Sequence, residues 1–160
     1  MKRFTAVTLI ALMSLIVISS SSFAQIGLKF GPRVGTETKN GDLFAGAQVE
    51  ASILMITLVP NVEYVFVKDA KQYNINLDGQ YTVFGVGVAK LFAGAGYTMS
   101  IVDLDKVGIV DPKSKTNNGF NIQFGGKAGL GGFQVFALAK YMRINKVNNN
   151  ALVAGMNFGF

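Results

Sequence analysis

The chain of 160 residues contains no cysteine, no histidine and no tryptophan. The missing cysteine excludes disulfides, thiolate metal sites and cysteine nucleophiles. The missing histidine removes the commonest general base and the commonest metal ligand. Only 15% of the residues are charged, against about a quarter in typical soluble domains. The length allows one domain, and the common hydrolytic chemistries are not expected.

The first 24 residues have the composition of a secretory signal peptide. Lys2 and Arg3 give a basic start, residues 6–18 are almost continuously apolar, and Ser22 and Ala24 fit a cleavage site after Ala24. The apolar run is shorter than the roughly 20 residues that cross a bilayer as a helix, so a retained anchor is the weaker alternative. We therefore predict a signal peptide at residues 1–24 and an exported domain at residues 25–160.

The mature chain shows period-two alternation and no helical period. In Gln72–Val83 every even-numbered residue is polar and every odd-numbered residue is apolar or glycine, as a strand with two different faces requires. Eight segments share this pattern: Gln25–Val34, Asp42–Ile53, Thr57–Val67, Gln72–Val83, Ala89–Met99, Gly119–Leu130, Phe133–Arg143 and Ala151–Phe160. Segments of about ten residues have the length at which a tilted strand crosses a bilayer.

The connections between these segments alternate in length. Polar loops are predicted at Thr36–Gly41, Lys68–Lys71, Val102–Asn118 and Asn145–Asn150. Minimal turns are predicted at Leu54–Ile56, Phe84–Val88 and Gly131–Gly132. Long loops at one end and tight turns at the other are typical of an up-and-down antiparallel barrel. The predicted fold is all-β: a transmembrane, antiparallel, eight-stranded β-barrel.

A membrane barrel and a soluble barrel differ in whether the apolar face of the strands points outward or inward. The apolar face carries no charge, and its aromatic residues collect at the strand ends, as in the aromatic girdles that flank a lipid-facing belt. The other face is rich in glycine and carries Phe44, Phe92, Phe136 and Leu138, which suits a narrow interior. A lipocalin-like soluble barrel, with the apolar face inside, is the alternative. Pro32 and Pro60 fall within predicted strands, so we expect bulges or strand ends there.

The last residues carry a recognisable pattern. Phe160 ends the chain, with Phe158 and Met156 at alternate positions before it. This resembles the C-terminal signature of bacterial outer-membrane proteins, and the whole mature domain resembles the small OmpA/OmpX-type, porin-family-like barrels. The resemblance implies a monomer in the outer membrane of a Gram-negative bacterium, surrounded by lipid and lipopolysaccharide. It also implies that Met156, Phe158 and Phe160 are read by the barrel-assembly machinery.

Charged residues on the polar face are the candidate functional residues of the lumen. They are Lys29, Arg33, Glu50, Glu63, Asp78, Lys90, Lys127 and Lys140. Charges remain inside a narrow barrel only when they are paired or hydrated. An eight-stranded barrel has little more room than its own side chains occupy. We therefore predict a polar network that fills the lumen, with a narrow channel for small or hydrophobic solutes as the alternative.

The longest loop suggests a partner outside the cell. Ile101–Val102 and Val107–Val110 are rich in β-branched residues and predict that the fifth and sixth strands extend past the membrane. Such an edge pairs readily with the strand of another protein, so residues 102–118 are the predicted contact with an extracellular protein. The lysines are dispersed, which argues against nucleic acid. No catalytic residue, cofactor or metal site is predicted, and the expected role is structural or in surface interaction.

Overall fold

The computed structural model describes residues 26–67, 70–104 and 114–159. The eight strands in these ranges are β1 (Ile26–Glu37), β2 (Leu43–Ile53), β3 (Ile56–Val65), β4 (Ala70–Val86), β5 (Ala89–Leu104), β6 (Ser114–Leu130), β7 (Phe133–Ile144) and β8 (Val147–Gly159). Each strand pairs antiparallel with its neighbours in sequence, and β1 pairs with β8 to close the barrel. The predicted eight-stranded antiparallel barrel is confirmed. None of the described ranges contains a helix long and apolar enough to cross a bilayer.

Alternation along each strand separates two surfaces. On β3, Thr57, Asn61 and Glu63 are buried, whereas Leu58 and Val62 are exposed. The same order holds around the barrel, so polar side chains fill the inside and aliphatic ones cover the outside. The outer aromatic residues contact one another near both ends. Tyr64 stacks against Phe66 and Tyr73 with ring centroids 5.1 Å apart, and Phe158 lies 5.6 Å from Phe133 and 6.5 Å from Phe30.

Strands β4, β5 and β6 are longer than the sequence predicts. They have 17, 16 and 17 residues, while the other five have 10 to 13. Their ladder continues to Ala70–Leu104 and Asp103–Ser114, although β6 begins to pair with β7 only at Gly119. We call this extension the protruding sheet (residues 70–71, 101–104 and 114–118). Ile101 and Val102 lie in it as predicted, and residues 107–110 are outside the described ranges.

Two predicted connections are wrong. Asn145–Asn150 is not a loop: β7 and β8 are joined by the two-residue turn Asn145–Lys146, whose φ angles are 48° and 66°. Both φ values are positive, as the hairpin turn that matches strand twist requires. At the other end, β4 does not stop at Val83 but passes a register shift between Thr82 and Phe84 and ends at Val86, before the turn Gly87–Val88. Period-two alternation does not reveal the start of β8, because its first residues are all polar or exposed. It does not reveal the end of β4, because the register shift breaks the alternation.

The two prolines are neither at strand ends nor at bulges, contrary to expectation. Pro32 lies inside β1 and pairs with Ala47 on β2, but the register with β8 lacks partners at Gly31 and Pro32. Pro60 lies inside β3, pairs with Leu77 on β4, and is passed over in the register with β2. In each case the ladder continues in phase beyond the gap. The missing N–H of proline therefore interrupts one side of its strand only.

Candidate functional site: the polar lumen

Six buried charges inside the barrel balance one another. Arg33, Lys127 and Lys140 carry three positive charges, and Glu50, Glu63 and Asp78 carry three negative ones. All six belong to the predicted lumen set, and all form ion pairs. One more buried carboxylate, Glu37, lies at the loop end of β1 and accepts a hydrogen bond from Asn149. Because isolated charges are costly in such a site, this pairing is what allows them to be buried.

Two carboxylates and two cations lie at the middle of the lumen. Arg33 Nη2 is 2.9 Å from Glu63 Oε1. Lys140 Nζ lies between both carboxylates, 3.7 Å from Glu63 Oε1 and 3.6 Å from Asp78 Oδ2. Arg33 also donates to Gln48 Oε1 at 3.1 Å. The four charges come from strands β1, β3, β4 and β7, so their pairing ties together distant parts of the wall.

Amide and hydroxyl groups satisfy the remaining carboxylate oxygens. Asn61 and Asn121 donate to the two oxygens of Asp78 at 2.9 and 2.8 Å. Asn76 donates to Asn61 Oδ1 at 2.8 Å and to Glu63 Oε2 at 3.2 Å, and Thr98 donates to Asn76 Oδ1 at 2.7 Å. We call this group the central cluster: Arg33, Asn61, Glu63, Asn76, Asp78, Thr98, Asn121 and Lys140. Its members are all buried.

Glycine separates the bonded partners in two pairs of the central cluster. Gly46 on β2 lies directly opposite both Arg33 and Glu63, and the ion pair spans it. Gly96 on β5 lies opposite both Asp78 and Asn121 in the same way. A Cβ atom on Gly96 would be 2.0 Å from Asp78 Oδ1 and 2.9 Å from Asn121 Nδ2. The hydrogen bond therefore needs the empty position that glycine provides.

A second ion pair lies nearer the turn end. Lys127 Nζ is 3.4 Å from Glu50 Oε2, donates to Gln80 Oε1 at 3.1 Å, and lies 5.0 Å from the ring centroid of Phe92. Burial strengthens such a cation–π contact. Glu50 is further linked to Gln48, which donates to Asn157 Oδ1 at 3.0 Å. A chain of polar contacts therefore continues from the central cluster toward the turns.

The two other predicted lumen charges do not join this network. Lys29 is half-buried and Lys90 is exposed, and both lie near the turn end of the barrel. Neither forms an ion pair with any residue in the described ranges. Lys90 shares the inner face of the ladder with Lys127, which lies directly opposite it. Both lysines therefore lie at the turn end of the lumen, apart from the ion pairs that the described residues form.

Apolar side chains fill the rest of the interior. We call them the apolar cluster: Phe44, Val65, Phe92, Phe136, Leu138, Met142, Ala151 and Val153. Phe44 lies opposite Gly35 and Phe136 opposite Gly155. A Cβ atom on either glycine would be within 2.5 Å of the facing ring, so each ring occupies the space over a glycine.

The uncharged members of the network are not among the predicted lumen residues, which are all charged. Gln48, Asn61, Asn76, Thr98 and Asn121 share the polar face with the predicted charges, so period-two parity alone would have identified them. The sequence does not predict which of these side chains bond to each other, because bonded partners lie on different strands and the sequence does not give the register between strands. Among the described residues there is no group of three or more potential metal ligands.

The predicted assembly residues lie partly within the described ranges. Met156 and Phe158 are exposed on the outer wall of β8. Phe160 is outside the described ranges, as are residues 1–24 and residues 105–113 of the predicted partner loop.

Solved structures share this architecture. The N-terminal β-barrel domain of OprF from Pseudomonas aeruginosa matches with a TM-score of 0.70 and 14% identity, over 85% of this chain and 98% of that chain. Neisserial surface protein A matches with a TM-score of 0.69 and 14% identity, over 86% and 98%. Outer membrane protein H from P. aeruginosa matches at 0.67 and 14%, over 84% and 99%. No protein-family model and no curated protein matches the chain. The resemblance to small outer-membrane barrels is thus confirmed as a likeness of fold.

Proposed function

We propose that this protein is a non-enzymatic integral barrel of the bacterial outer membrane. The observation that carries the proposal is the inverted polarity of the fold. Aliphatic and aromatic side chains cover the outer wall, while balanced charges and amides are buried inside. In water such an outer wall would be an apolar patch far larger than those of soluble monomers. In lipid it is the expected belt, and the hydrogen-bonded ring leaves no open sheet edge in the hydrocarbon.

Export and assembly belong to the same proposal. Residues 1–24 serve as the cleaved signal peptide, and Met156, Phe158 and Phe160 form the signal for the barrel-assembly machinery. The two outward side chains of this signal that the structure describes lie on β8, beside the seam with β1. The protein acts as a monomer, surrounded by phospholipid and lipopolysaccharide.

The proposed role is structural, combined with surface interaction through the protruding sheet. Residues 114–117 of β6 extend past the first β7 partner, so one edge of this sheet is open in the described part of the chain. An open edge offers backbone N–H and C=O groups to an extended segment of another protein. This supports the predicted extracellular contact at residues 102–118.

A charge placed on the outer wall tests the membrane orientation. We expect Val62→Arg on β3 to cost about 2–4 kcal/mol of folding free energy in vesicles if Val62 lies near the bilayer midplane. The measurement is the folded fraction during urea titration in phospholipid vesicles. Lys71→Arg, on the protruding sheet, is the matched control and leaves folding unchanged. A soluble barrel would tolerate Val62→Arg, because the exposed side chain would face water.

Planar-bilayer recording tests whether the lumen is filled. The apolar cluster, together with the balanced ion pairs, leads us to expect no steady single-channel conductance from the purified protein. The control is a larger porin reconstituted in the same bilayers. Steady conductance would instead support the alternative, a narrow channel for small or hydrophobic solutes.

A further inference from the structure

A leucine occupies a turn position that favours glycine. At the turn end, three two-residue turns join β2 to β3, β4 to β5 and β6 to β7: Leu54–Met55, Gly87–Val88 and Gly131–Gly132. The first residue of each has a positive φ, of 56°, 56° and 61°. Two of the three are glycine, which adopts this conformation without steric cost. Leu54 adopts it against the clash between its Cβ and the backbone.

Leu54 is also the most solvent-exposed large apolar residue in the described ranges, at 89%. It is held away from the wall at the tip of the hairpin, whereas the neighbouring Met55 accepts hydrogen bonds from Tyr81 and Thr82. Strain and exposure are both unfavourable, and both are removed by glycine. Backbone outliers of this kind collect at functional positions, so Leu54 points to a contact beyond this chain.

Other exposed apolar side chains lie with Leu54 at the same end of the barrel. We call the whole group the apolar rim: Leu54, Met55, Val86, Val88 and Leu130. Leu130 is 79% exposed. The six residues of the three turns include no charged side chain. Each tip is two strands from the next, or about 10 Å along the wall, so a body that touches all three tips must be as large as a protein.

Two lysines that form no ion pair with any described residue lie at the same end of the barrel as the apolar rim. Lys90 lies directly opposite Lys127 across the β5–β6 ladder, a like-charge arrangement that is unfavourable. Both Lys29 and Lys90 act electrostatically on Lys127. Glu50, the nearby buried carboxylate, is already paired with Lys127. The side chain of Lys29 lies over Gly159. Lys29 and Lys90 together carry two positive charges that no carboxylate in the described ranges pairs with.

We infer that the turn end is a docking surface for a second protein. The partner offers an apolar socket for Leu54 and contacts the apolar rim, and its acidic side chains reach Lys29 and Lys90 at the mouth of the lumen. Apolar anchors around a complementary charge are the usual composition of such interfaces. This surface lies at the opposite end from the protruding sheet, so it is independent of the proposed extracellular contact.

Cysteine labelling tests this inference, because the chain contains no native cysteine. The variant Leu54→Cys is exposed to a bulky maleimide in two settings: purified in phosphatidylcholine–phosphatidylglycerol nanodiscs, and in envelopes of the producing cells. We expect fast labelling in nanodiscs and at least about tenfold slower labelling in envelopes, as a bound interface protects its anchor. Lys39→Cys, in the exposed turn at the other end, is the control and labels equally in both.

The charge requirement is tested in the same experiment. Adding Lys29→Gln and Lys90→Gln should restore fast labelling at position 54 in envelopes, whereas Lys71→Gln should not. Slow labelling in nanodiscs would mean that lipid covers Leu54 and would overturn the inference. Equally fast labelling in both settings would overturn it too, as would protection that survives loss of the two lysines.

A second variant separates docking from folding. We expect Leu54→Gly to unfold at the same or a higher urea concentration than the parent, because glycine relieves the strain. With Leu130→Cys as the reporter, Leu54→Gly should nevertheless raise labelling in envelopes to the nanodisc rate. A lower unfolding midpoint would show that Leu54 stabilises the barrel itself, and the inference would be wrong.

Discussion

The central cluster and the apolar cluster fill the same barrel in different ways. Central-cluster residues are held by directed contacts, such as the 2.9 Å pair of Arg33 with Glu63 and the 2.8 Å bond of Asn121 to Asp78. Apolar-cluster residues need only matching volume, as where Phe136 lies over Gly155. Directed contacts are lost when one partner moves, whereas apolar contacts adjust. Polar filling therefore specifies strand register more strictly than apolar filling does.

Removing a carboxylate from the central cluster should have the largest effect. Glu63→Ala leaves Arg33 and Lys140 buried without one of their counter-charges, and we expect a loss of about 3–5 kcal/mol in the free energy of unfolding. Urea titration in detergent micelles, followed by circular dichroism, measures it. The double variant Arg33→Met with Glu63→Leu removes both partners of the ion pair, so it should recover part of the lost free energy of unfolding. If the double variant is as unstable as Glu63→Ala, the unpaired charge is not the cause.

A methyl group between two bonded partners should have the next largest effect. Gly96→Ala places Cβ against Asp78 and Asn121, and we expect a loss of about 1–3 kcal/mol, the usual cost of overpacking. Gly79→Ala is the matched control on the outer face, where the nearest atom, the carbonyl oxygen of Ala95, would be 3.7 Å from the new Cβ. Equal unfolding midpoints for the two variants would show that the cluster rearranges freely.

Replacing an aromatic ring of the apolar cluster by a smaller apolar side chain should have the smallest effect on the free energy of unfolding. Phe136→Leu keeps an apolar side chain over Gly155, so we expect a loss on the order of 1 kcal/mol in the same titration. A loss as large as that of Glu63→Ala would erase the difference between the two clusters. It would mean that the apolar cluster is as strictly specified as the polar one.

The sequence predicts the fold and the facing of the lumen residues, but not the contacts between them. Alternation places Glu63 and Asp78 on the inner face because side-chain direction depends only on parity. It does not show that Lys140 lies between them, since that depends on register across strands. The Asn145–Lys146 turn was missed because the polar residues that follow it pair with β7 outside the aliphatic belt. Parity also gives a direction and not a depth, so it does not show that Lys29 and Lys90 lie at the turn end, apart from the ion pairs of the lumen.

The gap in the β1–β8 register has a consequence for how the ring closes. Every other pairing joins strands adjacent in sequence, which form early because little chain entropy is lost. The β1–β8 contact forms only when the six strands between them are in place, and Pro32 removes a donor from it. We therefore expect closure of this seam to be the slow, last step of folding, and we expect the finished ring to open first there. A single proline in β1 thus makes the β1–β8 pairing the weakest ladder of the closed barrel.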